Sequence, residues 1–424
     1  MAKERVFTSY QIFMIAILAF IQFTVILDFM VLSPLGAILM PELGISTSQF
    51  GLVVSAYAFS AGLSGILTAG FADKFDRKKI LMFFYVGFLV GTALCASATT
   101  YNFLLFARIF TGIFGGVIGS IGFAIITDIF ELKVRGRVMG FTQMAFAASQ
   151  VLGLPIGLYL ANHYGWHSSF WMIVIVGIVA GIGMLVYMKP INEHIAANKG
   201  QNPFKHLINT LSNPDYVKVF LCTTLLATGG FMLMPFGSTF STNNLGLTLD
   251  DLPLLYGITG CFTIFFGPML GKLADRFGKL KVFVWGSVLG IIMVGIYCNL
   301  GTTPFSLILA LNVLLFLGIN ARMIASSSLI TAIPDLKDRG AFMSINSSVS
   351  QISGGIASAI AGMIVVQRPD GFVEHYPLLG WVVIASMVIS AGLMFVINGI
   401  VEKRASKTFL DPVEILVEKF QKEY

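Results

Sequence analysis

Three ionisable side chains stand in stretches that carry no other charge: Asp28 in FTVILDFMVLSP (23–34), Arg108 in LLFARIFTG (104–112) and Arg322 in NARMIASSS (320–328). From Gln11 to Met40 the carboxylate of Asp28 is the only charge. Burial and a nearby cation act on a carboxyl group in opposite senses, so a carboxylate beside a guanidinium can be poised to take up and release a proton. The competing use is a structural ion pair. Arg322 has no acid in its own stretch. A guanidinium so placed suits an anionic or strongly polar ligand group, or it bonds helix carbonyls and snorkels. No catalytic set accompanies these residues. His163, His167, His194, His206 and His375 are peripheral, and no Ser/His, Glu/His or metal-like cluster falls within the apolar runs. Neither an enzyme nor a cofactor or metal is therefore expected.

The elements that must position these side chains are apolar helices. The chain has 424 residues, 56% of them hydrophobic and only 11% charged, a composition that needs lipid as its solvent. Twelve apolar runs can be read, at about 11–34, 49–72, 80–98, 103–128, 137–160, 166–188, 216–240, 253–273, 280–299, 304–331, 340–366 and 377–400. They are too long and too uniform for barrel strands, and lipid demands backbone bonds within each segment, so they are read as helices. The basic start MAKER runs into a segment of full spanning length, so no cleavable leader is expected. Cys95, Cys222, Cys261 and Cys298 stand singly and read as inert core residues, with no disulfide framework.

Of 27 lysines and arginines, all but Arg108, Arg322 and Arg368 fall at the two ends or in alternate connections. The positive-inside rule then predicts both termini in the cytoplasm, in the cell's inner membrane. The net charge of +6 is read as that topology signal, without nucleic-acid binding. Counted along the helices, Asp28 lies about 25 Å up from the cytoplasmic end of run 1, and Arg108 about 9 Å down from the outer end of run 4. Their depths agree to about a turn.

The second half of the chain repeats the first at an offset of about 202. AGFADKFDRKKI (69–80) matches GKLADRFGKLKV (271–282), SPLG (33–36) matches MPFG (234–237), LGIS (43–46) matches LGLT (245–248), and LKVRGR (132–137) matches LKDRGA (336–341). Two six-helix halves with a site near the midplane are a known transporter plan. The boundaries expected are 1–188 and 216–400 for the halves, 189–215 for a linker with a short amphipathic helix from Asn202 and Pro203, and 401–424 for a tail. In the tail Asp411, Pro412 and Glu414 form a capping-box pattern. Val413, Leu416, Val417 and Phe420 line one face, and the acidic helix is expected to dock on basic loops.

These motifs carry a family resemblance. Ala69–Lys78 resembles the major facilitator signature Gly-x-Leu-Ala-Asp-Arg-x-Gly-Arg-Lys, with Ala69 and Asp76 replacing glycines. RIFTG (108–112) resembles its Arg-x-x-x-Gly motif. LDFMVLSPLG (27–36), QVLGLPIG (150–157) and GWHSSFW (165–171) are similar to motifs of its drug–proton antiporter branch, of the arabinose-efflux-permease kind, with Leu154 where a glycine should precede Pro155. The resemblance implies an all-α fold of twelve spans in two pseudo-symmetric bundles. Runs 1, 4, 7 and 10 then line a central cavity, which sets Asp28 and Arg108 on neighbouring walls as a proton-coupling pair. It further implies a cytoplasmic gate, in which Asp73 faces the start of run 11 with Arg77 and Asp128 completing a charge relay. The repeat supplies Asp275, with Arg276, as its mirror against the start of run 5.

Arg322, Asn312, Thr224, Thr228, Phe231, Gln143, Asn346 and Gln351 are the candidate substrate contacts. Trp166, Trp171 and Trp381 are expected at the outer interface and Trp285 at the inner one. The function expected is proton-coupled efflux of small amphipathic compounds by a monomer working through alternating access. The alternatives are transport of a defined polar or anionic metabolite (a sugar, an organic anion or an amino-acid-like solute) through Arg322, or a non-transporting membrane receptor.

Overall fold

The structure, a computed structural model, describes residues 7–69, 74–192, 209–334 and 339–423. Among them eleven helices are long and apolar enough to cross a membrane. A twelfth long helix, Arg339–Ile364, has the length but is richer in serine, asparagine and glutamine. It packs chiefly against two other helices, Thr47–Ala69 and Pro214–Leu233, so less of its surface needs to suit lipid.

Twelve spans follow in chain order. The first half holds span 1 (Ser9–Val31), span 2 (Thr47–Ala69), span 3 (Arg77–Ala96), span 4 (Tyr101–Ile129), span 5 (Leu132–Ala148 continued by Leu154–Tyr164) and span 6 (His167–Tyr187). The second holds span 7 (Pro214–Leu233), span 8 (Asp251–Phe277), span 9 (Lys279–Tyr297), span 10 (Phe305–Ile330), span 11 (Arg339–Ile364) and span 12 (Tyr376–Glu423). Except at the end of span 12, which runs on to Glu423 from a run read as 377–400, the ends fall within several residues of the apolar runs. With an even number of spans the chain starts and finishes on one face, here the terminal face; the opposite one is the distal face.

The repeat is visible where helices break. Span 1 is interrupted after Val31 by a turn holding Pro34 and resumes as Gly36–Leu43; span 7 is interrupted by a tight turn at Met234–Phe236, holding Pro235, and resumes as Gly237–Asn243. Proline lacks the N–H that would continue the ladder. Span 5 breaks differently: Ser149–Gly153 is a π turn just before Pro155. Gly153 has no room for a Cβ, because Leu27 of span 1 packs there, next to Asp28.

The halves meet on the distal side. Thr47 donates to the carbonyl of Val365 at 2.6 Å, Ser238 to that of Ser33 at 3.3 Å, and Asn162 to that of Leu249 at 2.8 Å. Gly51 and Gly362 pack backbone to backbone, where a Cβ on either would collide. Phe29 meets Phe231 with ring centroids 5.4 Å apart. A short hairpin, β1 (Val366–Gln367) with β2 (Val373–Glu374), caps this side. The Asn244 carboxamide clasps it, donating to and accepting from the Val373 backbone at 2.9 Å each. Spans 5 and 8 touch mainly along Ser149–Gly153 and Leu154–Tyr164 and part toward the terminal face, where Leu132–Ala148 barely meets span 8. Nothing lies within 4 Å of a Cβ built on Gly140, Gly267 or Gly271.

Several expectations are corrected. Trp166 is not an interfacial belt residue; it is buried and stacks on His167 at 3.8 Å, while Trp171, Trp285 and Trp381 are exposed. Cys261 is exposed, unlike the other three cysteines. The tail does not start a new helix at Asp411, since span 12 runs unbroken to Glu423; Glu402–Leu410 contains no glycine or proline to stop it. The linker helix expected from Asn202 lies outside the described residues.

Candidate functional site

Asp28 and Arg108 meet inside the first half. Arg108 Nη1 donates to Asp28 Oδ2 at 2.8 Å, and the two side chains are 0% and 1% exposed. Thr92 of span 3 donates to the other carboxylate oxygen at 3.1 Å. The guanidinium stacks over the ring of Tyr57, 4.5 Å from its centroid. Spans 1, 2, 3 and 4 thus each give one side chain. Span 2 can approach because Gly116 of span 4 leaves space for the backbone of Ala61. Water is excluded, so each contact acts at low dielectric. Tyr57 also packs on Phe29 at 5.5 Å. A chain of rings therefore runs from the guanidinium through Tyr57 and Phe29 to Phe231 in the other half. Arg108 Nε has no hydrogen-bond partner among the described residues. Thr92 and Tyr57 were not anticipated, because each is one of several hydroxyls in its apolar run and nothing in the sequence singles it out.

Arg322 is placed otherwise. It is 5% exposed and lies inside the second half. Nη2 donates to Ser390 Oγ of span 12 at 2.8 Å, and the guanidinium stands over Phe283 of span 9 at 5.1 Å. Nη1 has no partner, and among the described residues no carboxylate pairs with it.

The other expected substrate residues form separate groups. Asn346 accepts from Thr223 at 2.7 Å and Thr224 accepts from Ser353 at 3.0 Å, tying span 7 to span 11. Thr228 bonds its own helix at Thr224 O. Asn312 is buried and accepts from Thr259 of span 8 at 3.3 Å. Phe231 belongs to the ring chain and Gln351 lies against Gly62 of span 2. Gln143 of span 5 lines an open cleft with Leu18, Gln22, Gly119, Gly122, Phe123, Ile126 and Thr142.

The profile described as Major Facilitator Superfamily matches residues 18–216 and again 219–415, one match for each half. The chain belongs to the Major Facilitator Superfamily. It is a multi-pass membrane transporter of small-molecule substrates, from a family that is not enzymatic. It is 24% identical over 346 residues to the uncharacterized MFS-type transporter YwfA of Bacillus subtilis (strain 168), covering 80% of this chain and 82% of that one. It is 21% identical over 360 residues to Multidrug resistance protein 2 of the same organism, covering 83% and 87%. A solved bacterial homolog of the human lysosomal transporter Spinster, inward-facing and unoccupied, shares its fold with a TM-score of 0.69 at 18% identity, over 96% of this chain and 98% of the other.

In this facilitator the charged side chains of the terminal face differ between halves. Arg77 Nε donates to Asp128 Oδ2 at 2.9 Å, joining spans 3 and 4. Asp73 lies outside the described residues. Asp275 and Arg276 are exposed, and no ion pair forms at either among the described residues. Arg276 only stands over the ring of Phe277, at 5.3 Å.

Proposed function

We propose that the chain exports small amphipathic compounds in exchange for protons by alternating access, as a monomer. Both ends would face the cytoplasm across the cell's inner membrane, as the distribution of lysine and arginine favours. The observation that carries the coupling is the sealed Asp28–Arg108 pair: no other described carboxylate lies at such depth. When ionised, Asp28 is answered by Arg108; when protonated, it frees part of the guanidinium charge. The ring chain to Phe231 offers a route by which that change alters the contact between halves. Arg77 with Asp128, and Asp73 and Asp275 with the helix starts they oppose, Arg276 standing beside Asp275, are proposed to close the terminal face when the cavity opens distally. The parted spans 5 and 8 and the exposed Asp275 suit the half-cycle in which that gate is open. Efflux is favoured by the resemblance to Multidrug resistance protein 2.

Asp28→Asn is the test. It keeps an oxygen for Arg108 and cannot ionise. Uphill, proton-driven transport in liposomes should be abolished, and the pH dependence of substrate binding should flatten. A well-folded Asp28→Asn protein that pumps uphill with the wild-type pH dependence removes Asp28 from the mechanism.

A further inference from the structure

The cleft beside span 5 has a polar lining without charge. Gln22 of span 1 and Gln143 of span 5 both border it, and neither carboxamide has a hydrogen-bond partner among the described residues. Gly119 forms the floor under Gln22: a Cβ there would stand 3.6 Å from its Oε1 and 3.8 Å from its Nε2. Leu18, Phe123 and Ile126 supply apolar walls, and the hydroxyl of Thr142 is spent on the carbonyl of Met139. Gln143 shares a helix face with Gly140, beside which the structure leaves open space.

No Asp, Glu, Lys or Arg lines this cleft. The deep charges lie elsewhere: Asp28 and Arg108 neutralise one another out of reach of solvent, and Arg322 is enclosed in the second half. An ionic head group entering the cleft would lose its hydration and meet no counter-charge, which is costly. A neutral head group with adjacent donor and acceptor would meet two carboxamides, each offering both functions.

We infer that the cleft between Gln22 and Gln143 is the head-group subsite for an uncharged, hydrogen-bonding amphipath of the carboxamide or lactam class. This rests on the transport reading above and narrows its substrate. Gln22 and Gln143 are the specificity-determining residues, and the Gly119 floor admits the ligand between them.

The test measures equilibrium binding of three matched probes to the full chain in lipid nanodiscs at pH 7, with no gradient: para-butylbenzamide, para-butylbenzoate and para-butylbenzylamine. The amide should bind at least about tenfold tighter than either charged probe, and Gln22→Leu and Gln143→Leu should each weaken it by about tenfold. Gln143→Glu should shift the preference to the ammonium probe. Gln143 is exposed, so its variants are expected to fold, and thermal unfolding of each checks this. Wild-type protein binding a charged probe as tightly as the amide, undetectable amide binding, or folded leucine variants with unchanged amide affinity would each overturn the inference. Proton-driven flux of the amide, followed separately in liposomes, distinguishes the two proposals. Flux without head-group selectivity removes this subsite alone; selectivity without flux removes the coupling alone.

Discussion

Arg108 and Arg322 each lie almost fully buried in a six-span half, yet their surroundings differ in kind. Arg108 meets a carboxylate at 2.8 Å and the face of Tyr57. Arg322 meets one serine hydroxyl and the face of Phe283, and its Nη1 is left over. The first is a neutral unit whose members depend on each other. The second is a bare cation held by a dipole and a ring. Removing one partner of a buried pair strands the other as an uncompensated charge, whereas removing an unpaired charge relieves a desolvation penalty. Equal burial thus predicts unequal consequences.

The largest effect should follow Arg108→Met. It leaves Asp28 ionised without a counter-charge, or forces it to stay protonated, and should cost about 3–5 kcal/mol. Unfolding in an SDS titration measures this; a loss below about 1 kcal/mol would mean that the pair is not the interdependent unit described. Next comes Ser390→Ala, which deprives Arg322 of its one side-chain hydrogen bond, at about 1.5–3 kcal/mol. In an Arg322→Met background the same change should cost almost nothing, so a double-mutant cycle isolates the contact. An undiminished cost in that background would show that Ser390 serves the fold by other means.

Arg322→Met alone should change stability by no more than about 1 kcal/mol in either direction, since a flexible apolar side chain replaces an uncompensated charge. A loss as large as that of Arg108→Met would break the comparison. The smallest effect is expected at the terminal face. Asp275→Ala touches an exposed group and should stay within about 0.5 kcal/mol, even if transport falls because a gate contact is lost. A large loss of stability would reveal a partner for Asp275 in this state.

Much of the fold could be read from the sequence because lipid imposes a simple rule. A run of about 20 apolar residues must be a helix, whatever it touches. The Asp28–Arg108 pairing was legible for a related reason: depth follows from counting at a fixed rise per residue, and a lone charge in lipid needs an answer. Arg322 shows where counting stops. Its depth was readable but its direction was not, because rotation about the helix axis is fixed by packing. Gly286 and Gly318 draw spans 9 and 10 together, and that contact helps orient Arg322 toward Phe283 and Ser390 rather than toward the space between halves. Trp166 was misplaced for the same reason, since its position near a helix end said nothing about which side of span 6 it covers.

The solvent, the twelve helices, the twofold repeat and the depth of each charge were already legible in the order of the residues. These follow from composition and the constant geometry of the helix. Tertiary structure alone decided that Arg322 is enclosed without a counter-charge, that the halves seal on the distal side while spans 5 and 8 part toward the terminal face, and that Gln22 and Gln143 share one cleft. Each of these depends on helix rotation and on contacts between residues up to some three hundred positions apart, such as Thr47 with Val365. In lipid an apolar residue is accommodated on either side of a helix, so hydrophobic pattern leaves rotation undetermined. Close glycine contacts and buried hydrogen bonds then fix it.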